Sequence, residues 1–134
     1  MSKKFFQFLL PVMILLLVTL ACGFSVSSAN IEDLQMARDP DGLETTTVFN
    51  QDDGFYAVMN LKNAPEDTLV KAVWTAVDVE GAEPDYEITA TEITTGSAPV
   101  YFELTNPNPW PTGSYQVEIY LNDELQETLA FEVR

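Results

Sequence analysis

From Ile31 onward the sequence predicts an all-β fold, an antiparallel sandwich of about seven to eight strands, and three observations predict it. Apolar residues recur with a period of two rather than 3.6. Turn-forming residues punctuate the chain at short intervals. No stretch of about 12 residues carries a convincing helical stripe; residues 69–79 come nearest, and their Val, Trp and Thr content favours a strand.

The first element is not part of that fold. Residues 1–21, MSKKFFQFLLPVMILLLVTLA, place Lys3 and Lys4 before an apolar run broken only by Gln7, Pro11 and Thr19. A basic end followed by a short apolar stretch is the form of an export signal peptide. The run is marginal for a membrane-spanning helix, which needs about 20 apolar residues, and Pro11 weakens it further. Directly after it comes Thr19-Leu20-Ala21-Cys22-Gly23. This resembles the lipobox of bacterial lipoproteins, with Ala21 and Cys22 matching and Thr19 and Leu20 departing from the usual leucine and small residue. The resemblance implies that Cys22 carries fatty acyl chains such as palmitate and becomes the new N-terminus. A plain signal anchor or a cleaved secretion signal is the alternative. Each buried methylene contributes about 0.8 kcal/mol, so two or more chains on one cysteine give stable attachment. Residues 22–30 then form the lipidated cysteine and a polar tether; its eight residues from Gly23 to Asn30 reach at most ~25 Å at ~3.3 Å each.

The strands follow in order over 31–134. Candidates are 31–38, 45–49, 55–61, 69–79 and 86–94. In the next, Val100, Phe102 and Leu104 alternate against Tyr101, Glu103 and Thr105. Tyr115, Val117, Ile119 and Leu121 alternate against Gln116, Glu118 and Tyr120, and Leu129, Phe131 and Val133 complete the series. One buried and one wet face is what this pattern encodes. Asp39-Pro40-Asp41-Gly42, Asp52-Asp53-Gly54, Asn63-Ala64-Pro65-Glu66-Asp67, Glu80-Gly81, Thr95-Gly96 and Asn122-Asp123 separate the strands.

Two places carry a more specific pattern. Pro111-Thr112-Gly113-Ser114-Tyr115-Gln116-Val117 leads into a strand, and Trp74 sits inside the third long one. Here the chain resembles the immunoglobulin-like family: Tyr115 falls where that family has its tyrosine corner, Val117 where its second cysteine would lie, and Trp74 where its buried tryptophan would lie. Both disulfide positions lack cysteine, so the likeness is to bacterial immunoglobulin-like or fibronectin-III-like domains. The resemblance implies structural roles for Trp74, Tyr115 and Val117, and no activity.

Composition excludes several kinds of chemistry. The chain has 21 acidic and 6 basic residues, a net charge of −15. Past residue 21, four basic residues face all 21 acidic ones, a charge of −17. Nucleic-acid binding needs clusters of Lys and Arg that are missing. Histidine is absent and Cys22 is the only cysteine, which removes His-based acid–base catalysis, Ser-His triads and Cys/His zinc sites. Asp39/Asp41 with Gly42 and Asp52/Asp53 with Gly54 resemble calcium-loop fragments, but neither completes a loop, and solvated turns are the favoured reading. No carboxylate pair stands out for glycoside hydrolysis. The sequence thus predicts no enzyme, no metal and no cofactor.

The aromatic residues remain. Trp110 lies in Asn106-Pro107-Asn108-Pro109-Trp110-Pro111, either presented as a binding aromatic or, as favoured, folded over the sandwich end beside Tyr115. Tyr101 and Tyr120 fall on the wet phase of their strands, and on one face with Tyr56 they would make a sugar- or protein-binding platform. The expected product is an exported, lipid-anchored cell-envelope module, held to the membrane at Cys22, with an envelope protein or glycan as partner. The alternative is an accessory subunit of a larger envelope complex; a small hydrolase is a distant third.

Overall fold

Eight strands run through residues 28–134, which a computed structural model describes. They are β1 (Asn30–Ala37), β2 (Val48–Phe49), β3 (Phe55–Lys62), β4 (Thr68–Val79), β5 (Tyr86–Thr95), β6 (Ala98–Leu104), β7 (Gly113–Leu121) and β8 (Glu124–Val133). The expected signal peptide and lipidated Cys22 lie outside the described residues. Two sheets form, a three-stranded one in the order β1-β3-β6 and a five-stranded one in the order β2-β8-β7-β4-β5.

Period-two patterning positions the core between them. Phe55, Ala57, Met59 and Leu61 point inward from β3, and Tyr115, Val117, Ile119 and Leu121 from β7, all buried. Burying one such large side chain contributes about 1.5–3 kcal/mol, so these two strands anchor the sheets to each other. Trp74 on β4 is fully buried and lies directly across from Val117. At one end, Phe55 packs edge-on against Phe49 at 5.0 Å and Phe131 at 4.9 Å and stacks on Trp110 at 4.7 Å. The Tyr115 hydroxyl donates to the Pro111 carbonyl at 2.6 Å, pinning the corner that leads into β7. Gly113 makes that corner possible: its φ is +144°, and a Cβ there would collide with the Asp78 carbonyl and sit 2.7 Å from the Val79 Cα.

One element departs from the sequence reading. Strand 45–49 shrinks to Val48–Phe49, because the Thr46 hydroxyl accepts from the Val48 N–H at 3.0 Å and donates to its carbonyl at 2.9 Å, a local loop that competes with a ladder. What is left pairs with β8 in parallel, the exception to an otherwise antiparallel sandwich. β5 forms where alternation placed a strand, and its sheet is set by its connection to β4. The residues linking it to β4 form a short hairpin with Gly81 at φ +83°, closed by the Asp85 N–H on the Val77 carbonyl. A hairpin keeps β5 in the sheet of β4, whereas constant-type immunoglobulin domains place the corresponding strand opposite.

Candidate binding face

The wet phase of the three-stranded sheet is less wet than alternation alone requires. On β3 it carries Tyr56, Val58 and Asn60, all half-buried. Register sets Val58 between Gln35 of β1 and Tyr101 of β6, and Tyr56 beside Glu103. The Tyr56 and Tyr101 rings lie 6.2 Å apart, tilted 50° to each other. Tyr101 is 53% exposed, so one aromatic ring is presented while its neighbour supports it. A hydrogen bond to Glu103, with partial burial and that residue's negative charge, raises the Tyr56 phenol above its usual range and keeps it protonated.

A loop walls this face. After β1 the chain turns out and returns, closed by the Arg38 N–H on the Glu44 carbonyl at 3.0 Å and by a bridge between Ala37 and Thr45. Inside the turn the Asp39 carboxylate accepts from the backbone N–H groups of Glu44 at 2.7 Å, Leu43 at 2.9 Å and Asp41 at 3.2 Å. Those bonds, Leu43 and Glu44 foremost, pull the Asp39 pKa below the usual carboxylate value. Gly42, at φ +70°, comes close enough to the sheet that a Cβ would stand 2.9 Å from a Val58 methyl. Arg38 fixes the base of the loop through a 3.0 Å ion pair with Asp53 and a 2.9 Å bond to the Val48 carbonyl.

Between this wall and Tyr101 lies an open groove of ≈ 400 Å³. Its lining includes the apolar Val58 and Pro99, the amide-bearing Gln35 and Asn60, and the acidic Asp33 and Asp41. A bulge at Asp33, with φ +55°, interrupts β1 there, and the Asn60 amide donates to the Asp33 carboxylate at 3.4 Å. No Lys, Arg or His is among its lining residues. Grooves of ≈ 420 and ≈ 380 Å³ elsewhere have neither an exposed ring nor a pair of carboxylates.

The aromatic residues singled out from sequence divide three ways. Tyr101 and Tyr56 share a face. Tyr120 is corrected to the opposite side of the molecule, because β7 belongs to the five-stranded sheet; there its ring packs under the Lys71 ammonium at 4.8 Å and its hydroxyl bonds Glu118 at 3.3 Å. Trp110 is not a presented ligand-binding aromatic: it is 7% exposed, stacked on Phe55, with its indole N–H donated to the Asp53 carbonyl at 3.0 Å and its backbone locked to Gln51. In the calcium-loop fragments Asp39 accepts from the N–H groups of Asp41, Leu43 and Glu44, and Asp53 is taken up by Arg38 and the Asn50 N–H. Among the described residues no group of three His, Cys, Asp or Glu side chains is placed to hold a metal. Sequence reading missed Asp33, Gln35, Asn60 and the loop wall. The available signal was the valine and tyrosine on the outward phase of Phe55–Leu61, apolar where water was expected.

No protein-family model matches the sequence, and no curated protein matches it. Solved structures do. An immunoglobulin-like protein from Pseudomonas aeruginosa superposes with a TM-score of 0.55 at 15% identity, covering 82% of this chain and 99% of its own. An alkylpurine DNA glycosylase from Pseudomonas fluorescens, bound to DNA with an abasic-site analogue, gives 0.53 at 18% identity over 81% of this chain. A β-glucosidase from Listeria innocua in complex with glucose gives 0.53 at 16% identity over 83%. This chain spans 31% of the glycosylase and 17% of the glucosidase. At such identities what is common is the fold, and the fold of this chain is an immunoglobulin-like β-sandwich.

Proposed function

We propose that the chain is a cell-envelope lipoprotein whose single sandwich is a non-catalytic binding module, recognising an envelope glycan or protein through the outer face of the three-stranded sheet. The observation that carries this is the Tyr56–Tyr101 pair beside a walled groove on a rigid sheet. Recognition needs a preorganised apolar surface with a few fixed polar groups, and no bond chemistry. Acyl chains on Cys22 hold the module at the membrane, and the short tether keeps it close. Its charge of −17 past the leader gives no electrostatic attraction to anionic lipid headgroups, so attachment rests on the acyl chains.

Metabolic labelling with a fatty acid tests the anchor. The wild type takes up label and partitions with membranes; Cys22→Ala stays unlabelled and is either unprocessed or released. Export of the domain without label on the wild type would overturn the lipoprotein reading. A second reading, an accessory subunit docked through a sheet edge, is favoured by β5. That strand is a ten-residue edge with Ile93 39% exposed, and a bare edge is a template for another strand. Ile93→Lys would then abolish association with the partner and Tyr101→Ala would not.

A further inference from the structure

The geometry points to a neutral saccharide as the ligand of the groove between Tyr101 and the Pro40–Gly42 wall. This rests on the binding-module reading and names its ligand class. Three properties of the groove select that chemistry. Tyr101, about half exposed, offers an aromatic surface, which suits the C–H face of a pyranose as it suits other amphipathic surfaces. The carboxylates of Asp33 and Asp41 accept hydrogen bonds, while the amides of Gln35 and Asn60 both donate and accept. A sugar hydroxyl is also donor and acceptor at once, so a ring of hydroxyls uses all four groups. An anionic ligand is disfavoured by two carboxylates with no basic residue among the lining. An ammonium ligand would use the carboxylates but offer no acceptor to the Gln35 amide N–H, the Asn60 amide already donating to Asp33. The volume, ≈ 400 Å³, lies toward the small end of ligand sites and suits one or two sugar units, with the open ends letting a longer chain run through.

The wall is what distinguishes a groove from a bare sheet. Asp39 holds it from within through three backbone N–H groups, and Gly42 lets it close on Val58. A saccharide would therefore meet a preformed site and spend little of its binding energy on ordering the protein.

The test titrates the full-length, detergent-solubilised, ¹⁵N-labelled chain with neutral oligomers of glucose, galactose, mannose and N-acetylglucosamine at up to about 10 mM, where weak sugar sites with millimolar dissociation constants register. At least one series is expected to shift the backbone amides of Gly42, Val58, Asn60 and Tyr101, equally at about 50 and about 500 mM salt, because no charge pair forms. Tyr101→Ala should weaken that binding by at least about tenfold, as loss of a central aromatic anchor does, while Leu125→Ala on the opposite sheet leaves it unchanged. No shifts with any series, shifts confined to other faces, or stronger binding of a lysine-rich peptide that disappears in salt would each overturn the saccharide assignment. If sugars fail while Tyr101→Ala still releases the detergent-solubilised protein from lipid-extracted envelope fragments, the ligand class falls and the binding face stands. If neither responds to Tyr101→Ala, both fall.

Discussion

Replacing Tyr115 by phenylalanine removes one oxygen atom and leaves the ring in place. The ring is 2% exposed, lies nearly parallel to Phe131 with centroids 5.5 Å apart, and meets Trp110 edge-on at 6.1 Å. Packing therefore survives, and the loss is the 2.6 Å bond from the hydroxyl to the Pro111 carbonyl. An acceptor left buried without a partner costs about 1–3 kcal/mol. Pro111 is itself exposed, so water can reach its carbonyl, which puts the cost near the lower end, about 1–1.5 kcal/mol. For a domain of this size that lowers Tm by about 4–10 °C. Two companion variants calibrate the number. Trp74→Ala empties a fully buried indole site and should cost about 3–5 kcal/mol, even though the indole N–H has no hydrogen-bond partner among the described residues. Tyr120→Phe, on the outer face of the same strand as Tyr115, should change stability by less than about 0.5 kcal/mol. Urea melts of the full chain give all three values, with unchanged m-values expected. A larger cost for Tyr120→Phe than for Tyr115→Phe would mean that the strand faces the other way and that the corner bond does not hold the turn.

The remaining predictions concern the turns. Gly113→Ala places a Cβ against the Asp78 carbonyl at a positive φ and should cost more than about 2 kcal/mol, whereas Gly81→Ala, also at positive φ but with open space around it, should cost about 1 kcal/mol; thermal melts separate the two. Asp39 has its pKa lowered by the backbone N–H groups of Leu43 and Glu44, so its contribution is present above the unfolded value of about 3.9 and is lost as pH falls through the lower folded value. Amide protection at Leu43 and Glu44, measured relative to intrinsic exchange, should be weaker at neutral pH in Asp39→Asn and, in the wild type, should fall only as pH drops through the lowered Asp39 pKa, below the unfolded value of about 3.9. Calcium should leave Tm unmoved; a native-state site would add about 2.7 kcal/mol at a hundredfold excess over its dissociation constant, and a chelator-reversible rise of that size would contradict the commitment of Asp39 and Asp53 to hydrogen bonds.

The parts of this structure legible in the sequence are those governed by one strand at a time. Alternation along Tyr115–Leu121 and Phe55–Leu61 sets which side chains face inward, because successive Cβ atoms point to opposite faces. It does not say which sheet a strand joins. Tyr120 and Tyr101 share a wet phase, yet β7 and β6 lie in different sheets, so the two rings face apart. The edge position of β5 was equally hidden, since Tyr86–Thr95 reads as a strand whether or not both its sides are paired. The groove depends on a contact between Gly42 and Val58, 16 residues apart in sequence. Asp39-Pro40-Asp41-Gly42 was legible as a turn and not as a wall, because where a turn leans is decided by the surface beneath it. Trp110 lay between a presented and a packed reading until the carbonyl of Asp53, 57 residues away, supplied the partner for its indole N–H.

The claim that recognition resides on the outer face of the three-stranded sheet is tested most directly by co-sedimentation of the purified, detergent-solubilised full chain with lipid-extracted cell-envelope fragments, where acyl chains on Cys22 stay in micelles, comparing wild type, Tyr101→Ala and Ile93→Lys. Wild type and Ile93→Lys should sediment with the fragments, and Tyr101→Ala should remain in the supernatant with its urea midpoint unchanged. Release of Ile93→Lys with full retention of Tyr101→Ala would contradict the account and move the functional surface to the edge of β5.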